Sequence, residues 1–221
     1  MTNNVSNLLK SSQNSLEIPG GITATLPKYD GDIPTLYVFR HGETKDNKRR
    51  IFSGRRDSDL TEDGVLQALS LARKMRQLKI DYAYYPPLTR CRKTIKLALK
   101  SHRKTKFIVN DKLVERDYGD LSGKSKLQMN KSNPVLTARY RREFNFPPPN
   151  GESLKMVWEN RIKPFCTEIE KLINDKKINV AVCCTNNTMR LIRMYFEKLT
   201  IEEMQQIENP LATDYCSYKI I

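Results

Sequence analysis

Short uncharged runs alternate along this chain with longer stretches whose apolar residues recur at helical spacing. The run TLYVFR, Thr35 to Arg40, carries no charge before its end and is rich in β-branched and aromatic residues. Such a run is typical of a strand that is buried on both faces of a parallel sheet. The segments DYAYY, KFIVND, INVAVCC and YCSYKII predict further strands.

The stretches between these strands predict amphipathic helices. One apolar stripe runs from Leu88 to Ala98 and a longer one from Leu154 to Leu172. An earlier helix begins after the N-cap residue Thr61. Its expected buried residues are Val65, Leu69, Ala72 and Met75. Strands alternating with helices predict an α/β fold, a three-layer α/β/α sandwich with a mainly parallel sheet. We expect the ligand site at the carboxyl ends of the strands, which His41 and Thr185 follow.

The beginning of the chain differs from the rest in composition. Residues 1–33 are rich in Ser, Asn, Gly and Pro and show no sustained hydrophobic period. That composition is typical of a flexible segment. We therefore expect a flexible N-terminal extension over residues 1–33 and a single domain over residues 34–221.

The chain is strongly basic, with 39 Lys and Arg against 25 Asp and Glu and a formal net charge of +14. This surplus favours anionic partners such as phosphorylated metabolites, nucleic acid or acidic membranes. Nucleic acid is disfavoured, since the basic runs come without an RNP, helix-turn-helix or zinc signature. No apolar stretch approaches the ~20 residues of a membrane span. Five cysteines without a CxxC pair argue against a disulfide framework or a zinc site. We expect a cytoplasmic protein.

A histidine stands directly after the first predicted strand, in the segment RHGET that begins at Arg40. A neutral imidazole nitrogen can attack phosphorus, and neighbouring arginines stabilise the oxygen charge of a phosphoryl group in transfer. The segment therefore suits a phosphohistidine on His41. Taken alone, one His after an Arg is more often structural, so other segments have to carry the assignment.

Several segments together resemble the bisphosphoglycerate-dependent phosphoglycerate mutases of the histidine phosphatase superfamily. RHGETKDNKRRIFSGRRDSDLTEDG is similar to the opening motif of that family, and PPLTRCRKT is similar to its second segment. LVERDYGDLSGKSK, YRREFNFPPP, GESL and NNTMR follow in the family's order. The resemblance extends over most of residues 35–218 and implies a phosphoglycerate mutase-like fold.

The resemblance also implies roles for individual residues. His41 would be the phosphorylated nucleophile, Arg40 and Arg90 would bind the phosphoryl group, and Glu115 would donate and accept the proton. Other residues would bind the substrate: Thr44, Asn47, Gly54, Tyr118, Lys126, Arg141, Arg142, Asn186 and Asn187. The implied ligand is a small phosphorylated carboxylate, with 2,3-bisphosphoglycerate as phosphoryl primer and without a metal. Assembly into a homo-oligomer stays open.

The closing segment departs from the family at two positions, one of which is catalytic in the family. Thr185 stands where the resemblance implies a second catalytic histidine, and Asn186 stands at a family glycine. A threonine hydroxyl donates one neutral hydrogen bond, and the loss of a preorganised charge-stabilising donor costs roughly 10²–10³-fold in rate. Ile51 also replaces a family arginine, and either Arg49 or Arg50 is near enough in sequence to take its place.

Two functions follow from this pattern of matches and departures. One is a phosphoglycerate mutase-like enzyme that interconverts 3- and 2-phosphoglycerate through His41 at a reduced rate. The other is a pseudoenzyme that binds bisphosphoglycerate or another phosphorylated anion without turnover. Formation of a phosphohistidine distinguishes the two.

Overall fold

The computed structural model describes residues 3–17, 26–29 and 34–221. Its sheet contains β1 (Thr35–Arg40), β2 (Tyr82–Tyr85), β3 (Lys106–Val109), β4 (Val180–Cys184) and β5 (Cys216–Lys219). The strand order is β3-β2-β4-β1-β5. All neighbouring strands are parallel except β1 and β5, so the predicted mainly parallel sheet is confirmed.

Helices connect and cover these strands. They are α1 (Asn3–Glu17), α2 (Lys45–Lys48), α3 (Glu62–Met75), α4 (Thr89–Ala98), α5 (Lys126–Ser132), α6 (Pro134–Arg142), α7 (Leu154–Val157), α8 (Lys163–Lys176), α9 (Asn186–Phe196) and α10 (Ile201–Gln206). A π-helical turn, Trp158–Ile162, joins α7 to α8 within the long helical stretch that the sequence predicts. Among the described helices, none is long and apolar enough to cross a membrane.

The two faces of the sheet carry separate apolar cores. Because successive side chains of a strand point to opposite faces, Leu36 and Val38 pack with α8 and α9, whereas Tyr37 and Phe39 pack with α3 and α4. This arrangement confirms the three-layer α/β/α sandwich. The strands β1 and β4 are buried along their whole length, as uncharged runs require.

Helix α3 buries only part of the stripe that the sequence predicts. Ala72 and Met75 are buried as expected, but Val65 and Leu69 are only half-buried. Gly64, Ala68 and Leu71 are buried in their place. The reason lies at the start of the helix, where a Cβ on Gly64 would lie 2.1 Å from the carbonyl oxygen of Glu43. This close backbone approach turns the face that contains Gly64 towards the sheet.

The N-terminal extension also requires a correction. The sequence predicts no regular structure before residue 34, whereas α1 forms a helix over fifteen residues that packs on α6 and α10. Leu8 and Leu16 are almost fully buried in this contact. Two leucines are too few to show a sustained period, and such a helix gains most of its stability from tertiary packing. The remainder of the predicted extension, residues 18–25 and 30–33 with the first two residues, lies outside the described part of the chain.

Candidate functional site

His41 lies at the carboxyl end of β1, at the edge of the sheet. Arg40 pairs with Cys184 across the strands, and the backbone N–H of His41 continues the ladder by donating to the carbonyl oxygen of Cys184 at 3.1 Å. The next residue is a glycine because a Cβ on Gly42 would lie 2.3 Å from the carbonyl oxygen of Gly64. This close contact between the loop after β1 and the first turn of α3 fixes the backbone next to His41 at the carboxyl edge of the sheet.

The imidazole of His41 is held in one tautomer. Its Nδ1 lies 2.7 Å from the carbonyl oxygen of Gly42, which can only accept a hydrogen bond. Nδ1 therefore carries the proton, and Nε2 keeps its lone pair. Burial, together with the charges of Arg90 and Arg40, holds the pKa of His41 well below its usual range. The ring is neutral at pH 7, which is the state that a nitrogen nucleophile needs.

Two arginines flank this histidine and are anchored by neutral groups. Arg40 Nη1 donates to the carbonyl oxygen of Asn209 at 3.0 Å. Arg90 donates from Nη1 to Arg56 and from Nη2 to Gly54, both through backbone carbonyl oxygens at 2.8 Å. Among the described residues, neither guanidinium group forms an ion pair with a carboxylate. Arg40 Nε is also buried without a hydrogen-bond partner among the described residues, so it remains able to donate to an anion.

Glu115 is oriented by a short network on the other side of the cavity. Its Oε1 accepts from the backbone N–H of Arg116 at 2.7 Å and from Asn187 Nδ2 at 3.1 Å. Asn187 Nδ2 also donates to Tyr118 Oη at 3.1 Å, while Arg190 Nη1 donates to Asn187 Oδ1 at 3.2 Å. The carboxylate of Glu115 is therefore fixed among groups that themselves face the cavity.

The residues that the sequence predicts for the site line one cavity of about 540 Å³, part of which is open to solvent. The lining contains Arg40, His41, Asn47, Gly54, Arg90, Glu115, Tyr118, Lys126, Arg141, Arg142, Asn186 and Asn187, together with Ser53 and Arg190. The cavity wall is dominated by arginines and amides. Such a wall suits a small anion with several oxygen atoms.

Thr44 and Thr185, which the sequence also assigns to the site, do not line this cavity. Thr44 is fully buried and caps α2, and its Oγ1 accepts from the backbone N–H of Asn47 while Asn47 Oδ1 accepts from the N–H of Thr44. It therefore positions Asn47. Thr185 is also fully buried, and its hydroxyl donates to Thr188 Oγ1 at 3.0 Å. The position lies beside His41, but its side chain is turned into the protein.

Sequence reasoning missed the residues that close the outer side of the site. A second cavity adjoins the first and is lined by Ser15, Leu16, Arg50 and Glu208, together with Arg40, Asn47, Lys126, Arg141 and Asn186. Of the two candidates to replace the arginine missing at position 51, Arg50 is the one that lines this space. No motif marks Glu208 or α1, since both reach the site only through tertiary packing.

Lys126 lies between the two cavities and lines both of them. Burial, followed by the charges of Arg141 and Arg40, lowers its pKa to about 7. Its ammonium group is 5.5 Å from the centroid of the Phe52 ring. Lys126 thus changes charge close to neutral pH, and a bound anion would favour its protonated form.

No group of three or more His, Cys, Asp or Glu side chains that could hold a metal ion is found among the described residues. The site instead combines a neutral nucleophile, fixed cations and one buried carboxylate. Those are the groups needed to transfer a phosphoryl group through a covalent intermediate.

Comparison with known proteins shows relatives of two kinds. The family model described as histidine phosphatase superfamily (branch 1) matches residues 36–221. A 2,3-bisphosphoglycerate-dependent phosphoglycerate mutase of Parvibaculum lavamentivorans is 35% identical over 179 residues, which cover 78% of this chain and 84% of the relative. The corresponding protein of Bradyrhizobium diazoefficiens is 37% identical over 187 residues, covering 80% and 87%. A mycobacterial glucosyl-3-phosphoglycerate phosphatase has a similar fold, with a TM-score of 0.72, 20% identity and coverage of 83% and 90%.

Proposed function

Since this chain belongs to the histidine phosphatase superfamily, we propose that it transfers phosphoryl groups through a phosphohistidine on Nε2 of His41. The substrate class is phosphoglycerate, and the reaction interconverts 3- and 2-phosphoglycerate at a reduced rate. The observation that carries the proposal is the neutral His41, whose Nδ1 is held by Gly42 and whose pKa is lowered by burial and by the neighbouring Arg90 and Arg40. The similarity to phosphoglycerate mutases supports the choice of substrate.

The steps follow from the residues around His41. The Nε2 lone pair attacks the phosphorus atom of the ester, the ester P–O bond breaks, and the leaving oxygen takes a proton from Glu115. Arg40 and Arg90 stabilise the charge on the phosphoryl oxygens during transfer. In the second step, Glu115 takes the proton of an incoming hydroxyl, whose oxygen attacks the phosphohistidine and releases Nε2. An incoming sugar-acid hydroxyl gives the mutase reaction, and water gives hydrolysis.

The reduced rate follows from Thr185. Its hydroxyl is engaged with Thr188, so the phosphoryl group lacks the donor that a histidine at this position would supply. The loss of one preorganised donor of this kind costs roughly 10²–10³-fold in turnover. Binding depends mainly on the arginines and is expected to be less affected.

The resemblance implies 2,3-bisphosphoglycerate as a primer, but this molecule fits the cavity poorly. Arg40 and Arg90 are available to one phosphoryl group, but Arg142 and Arg190 are already paired with Glu208, and Arg141 donates to α1. A second phosphate would therefore compete with Glu208 and α1 for these arginines. We assign no step to this molecule.

A second candidate function is anion binding without turnover, and Thr185 is the observation that favours it. One experiment distinguishes the two candidate functions. The full chain is incubated with 3-phosphoglycerate and, in parallel, with 2,3-bisphosphoglycerate. Each reaction is quenched in alkali and analysed by mass spectrometry. We expect phosphohistidine at His41 and its loss in His41→Asn. His102→Asn is the matched control, because His102 is the other histidine of the chain and its ring bonds the carbonyl oxygen of Leu78, outside the site. Ligand binding without formation of phosphohistidine would support anion binding without turnover and reject the enzymatic function.

Turnover is followed by ³¹P NMR, which resolves 3-phosphoglycerate, 2-phosphoglycerate and inorganic phosphate. Appearance of 2-phosphoglycerate supports the mutase reaction. Appearance of inorganic phosphate alone would replace the mutase assignment with hydrolysis by the same histidine.

A further inference from the structure

The outer wall of the cavity is occupied by a carboxylate of the protein itself. Glu208 forms ion pairs with Arg142 Nη2 and with Arg190 Nη2, the latter at 2.7 Å, and both reach the same oxygen, Oε1. Its other oxygen, Oε2, accepts from Asn186 Nδ2 at 3.1 Å. One carboxylate thus bridges two guanidinium groups and a side-chain amide, an arrangement resembling that around a bound anion.

The carboxylate of Glu208 is ionised over the whole physiological range. Burial by itself raises the pKa of a carboxyl group, but the surrounding charges of Arg142, Arg190, Arg40 and Arg141 outweigh it and hold the pKa of Glu208 well below its usual range. A full negative charge therefore lies permanently among the cations of the outer cavity.

Helix α1 occupies the other side of this wall. Arg141 Nη1 donates to the carbonyl oxygen of Ser12 at 2.7 Å and to Ser12 Oγ at 2.6 Å, and its Nη2 donates to Ser15 Oγ. Arg142 Nη2 donates to the carbonyl oxygen of Ser11 at 2.9 Å. The last turn of α1 adds the carbonyl oxygen of Leu16, which accepts from Arg50 Nε at 2.8 Å. The C-terminal end of a helix carries partial negative charge, so α1 presents acceptors and a negative potential to these arginines.

The inner and outer halves of the cavity therefore differ in what they can accept. In the inner half, Arg40 and Arg90 are anchored by neutral carbonyl oxygens and keep their charge for a ligand. Towards Glu208 and α1, by contrast, the Nη atoms of Arg141 and Arg142 already donate to protein acceptors. Lys126 lies between the halves and remains for a small second group such as a carboxylate.

We infer that Glu208 is a specificity-determining residue, which together with α1 fills the outer anion subsite and restricts this site to esters with a single phosphoryl group. Phosphomonoesters of small carboxylic acids fit, and bisphosphoglycerate is disfavoured. The inference rests on the proposed function in one respect, namely that the substrate binds in this cavity. It does not require that His41 reacts.

The test is a binding measurement in the full-length His41→Asn protein, which cannot form a phosphohistidine. Isothermal titration with 3-phosphoglycerate and with 2,3-bisphosphoglycerate is carried out with and without Glu208→Gln. Gln keeps the size and the acceptor oxygen of Glu208 but removes its charge. We expect a gain of about tenfold or more in bisphosphoglycerate affinity, because a like charge next to the second phosphate is removed, and a gain below about threefold for 3-phosphoglycerate.

Equal gains for both ligands would overturn the inference, since the charge would then act on the whole cavity and not on an outer subsite. The inference would also be overturned if the His41→Asn protein that keeps Glu208 bound bisphosphoglycerate more tightly than 3-phosphoglycerate. Binding of neither ligand to any variant would also do so. If bisphosphoglycerate alone shows this gain in the His41→Asn background, while the chain that keeps His41 forms no phosphohistidine, the inference stands and the enzymatic function is rejected.

A second variant covers the case in which Glu208→Gln does not fold. Leu8 is 2% exposed at the contact of α1 with the domain, so Leu8→Asp should release α1 while the residues of the cavity outside α1 stay unchanged. We expect the same selective gain for bisphosphoglycerate. Asn7→Asp is the matched control, because it adds the same charge at an exposed neighbouring position of α1 and leaves the helix docked. If hydrogen exchange shows that α1 is released in Leu8→Asp but bisphosphoglycerate affinity is unchanged, α1 does not fill the outer anion subsite and this part of the inference fails.

Discussion

Under the proposed function, replacing Thr185 by histidine should raise the turnover of 3-phosphoglycerate. The geometry favours this, because Arg40 and Cys184 are paired in register and the N–H of His41 donates to the carbonyl oxygen of Cys184 at 3.1 Å. Residues 41 and 185 therefore leave neighbouring parallel strands side by side, roughly 5 Å apart. An imidazole at position 185 can reach the phosphoryl group that His41 carries.

The expected gain is on the order of 10²-fold in kcat, the effect of one preorganised donor. The cost falls on stability. The variant loses the Thr185 to Thr188 hydrogen bond, about 1 kcal/mol, and places a larger ring at a fully buried position, about 1–3 kcal/mol. A domain of ordinary stability, about 5–15 kcal/mol, remains folded after that loss. Asn186 is kept unchanged, because its side chain bonds Glu208 and accepts from Asn209.

The assay measures the conversion of 3- to 2-phosphoglycerate, the affinity for 3-phosphoglycerate and the thermal unfolding midpoint. Thr185→Val is the matched control, since it removes the hydroxyl without adding a donor and should show no gain. Because the new interaction acts mainly in the transition state, kcat should rise while affinity changes little. A folded Thr185→His protein that forms phosphohistidine but shows no gain in kcat would refute the argument that the missing donor limits the rate.

Three further outcomes are expected from the geometry of the site. Glu115→Gln should lower kcat by ~10²–10⁴-fold and leave the affinity for 3-phosphoglycerate nearly unchanged, and a matching loss of affinity in calorimetry would contradict a role in proton transfer. The pKa of Lys126, lowered to about 7, means that the ammonium charge is present below pH 7 and lost above it, so affinity for sulfate should fall between pH 6 and pH 8.5. Lys126→Arg should abolish that dependence, and a persistent fall would assign it to another group. Incubation with EDTA should leave phosphohistidine formation unchanged, and a loss restored by added Mg²⁺ would show that an ion is needed.

The site could be predicted from the sequence largely because its main residues stand next to recognisable element ends. His41 follows an uncharged strand, and the segments around Arg90, Glu115 and Asn187 keep family spacing. Their convergence on one cavity follows from the parallel sheet, whose carboxyl ends meet at one edge. The assignment of Thr44 to the cavity lining shows the limit of that reasoning. Spacing places a residue in a loop, but the direction of its side chain depends on capping and packing.

The alternation of short uncharged strands with apolar stripes was sufficient to determine the layer architecture, the mainly parallel sheet and the position of His41 at its edge. These features depend on local periodicity and on the burial of apolar surface, both of which can be inferred from residues that are close in sequence. Only the tertiary structure decided which cations remain free for a ligand. Glu208 lies 66 residues from Arg142 in sequence, and Ser12 lies 129 residues from Arg141. Neither pair belongs to a periodic pattern, because a contact between distant segments exists only once the packed core has brought them together.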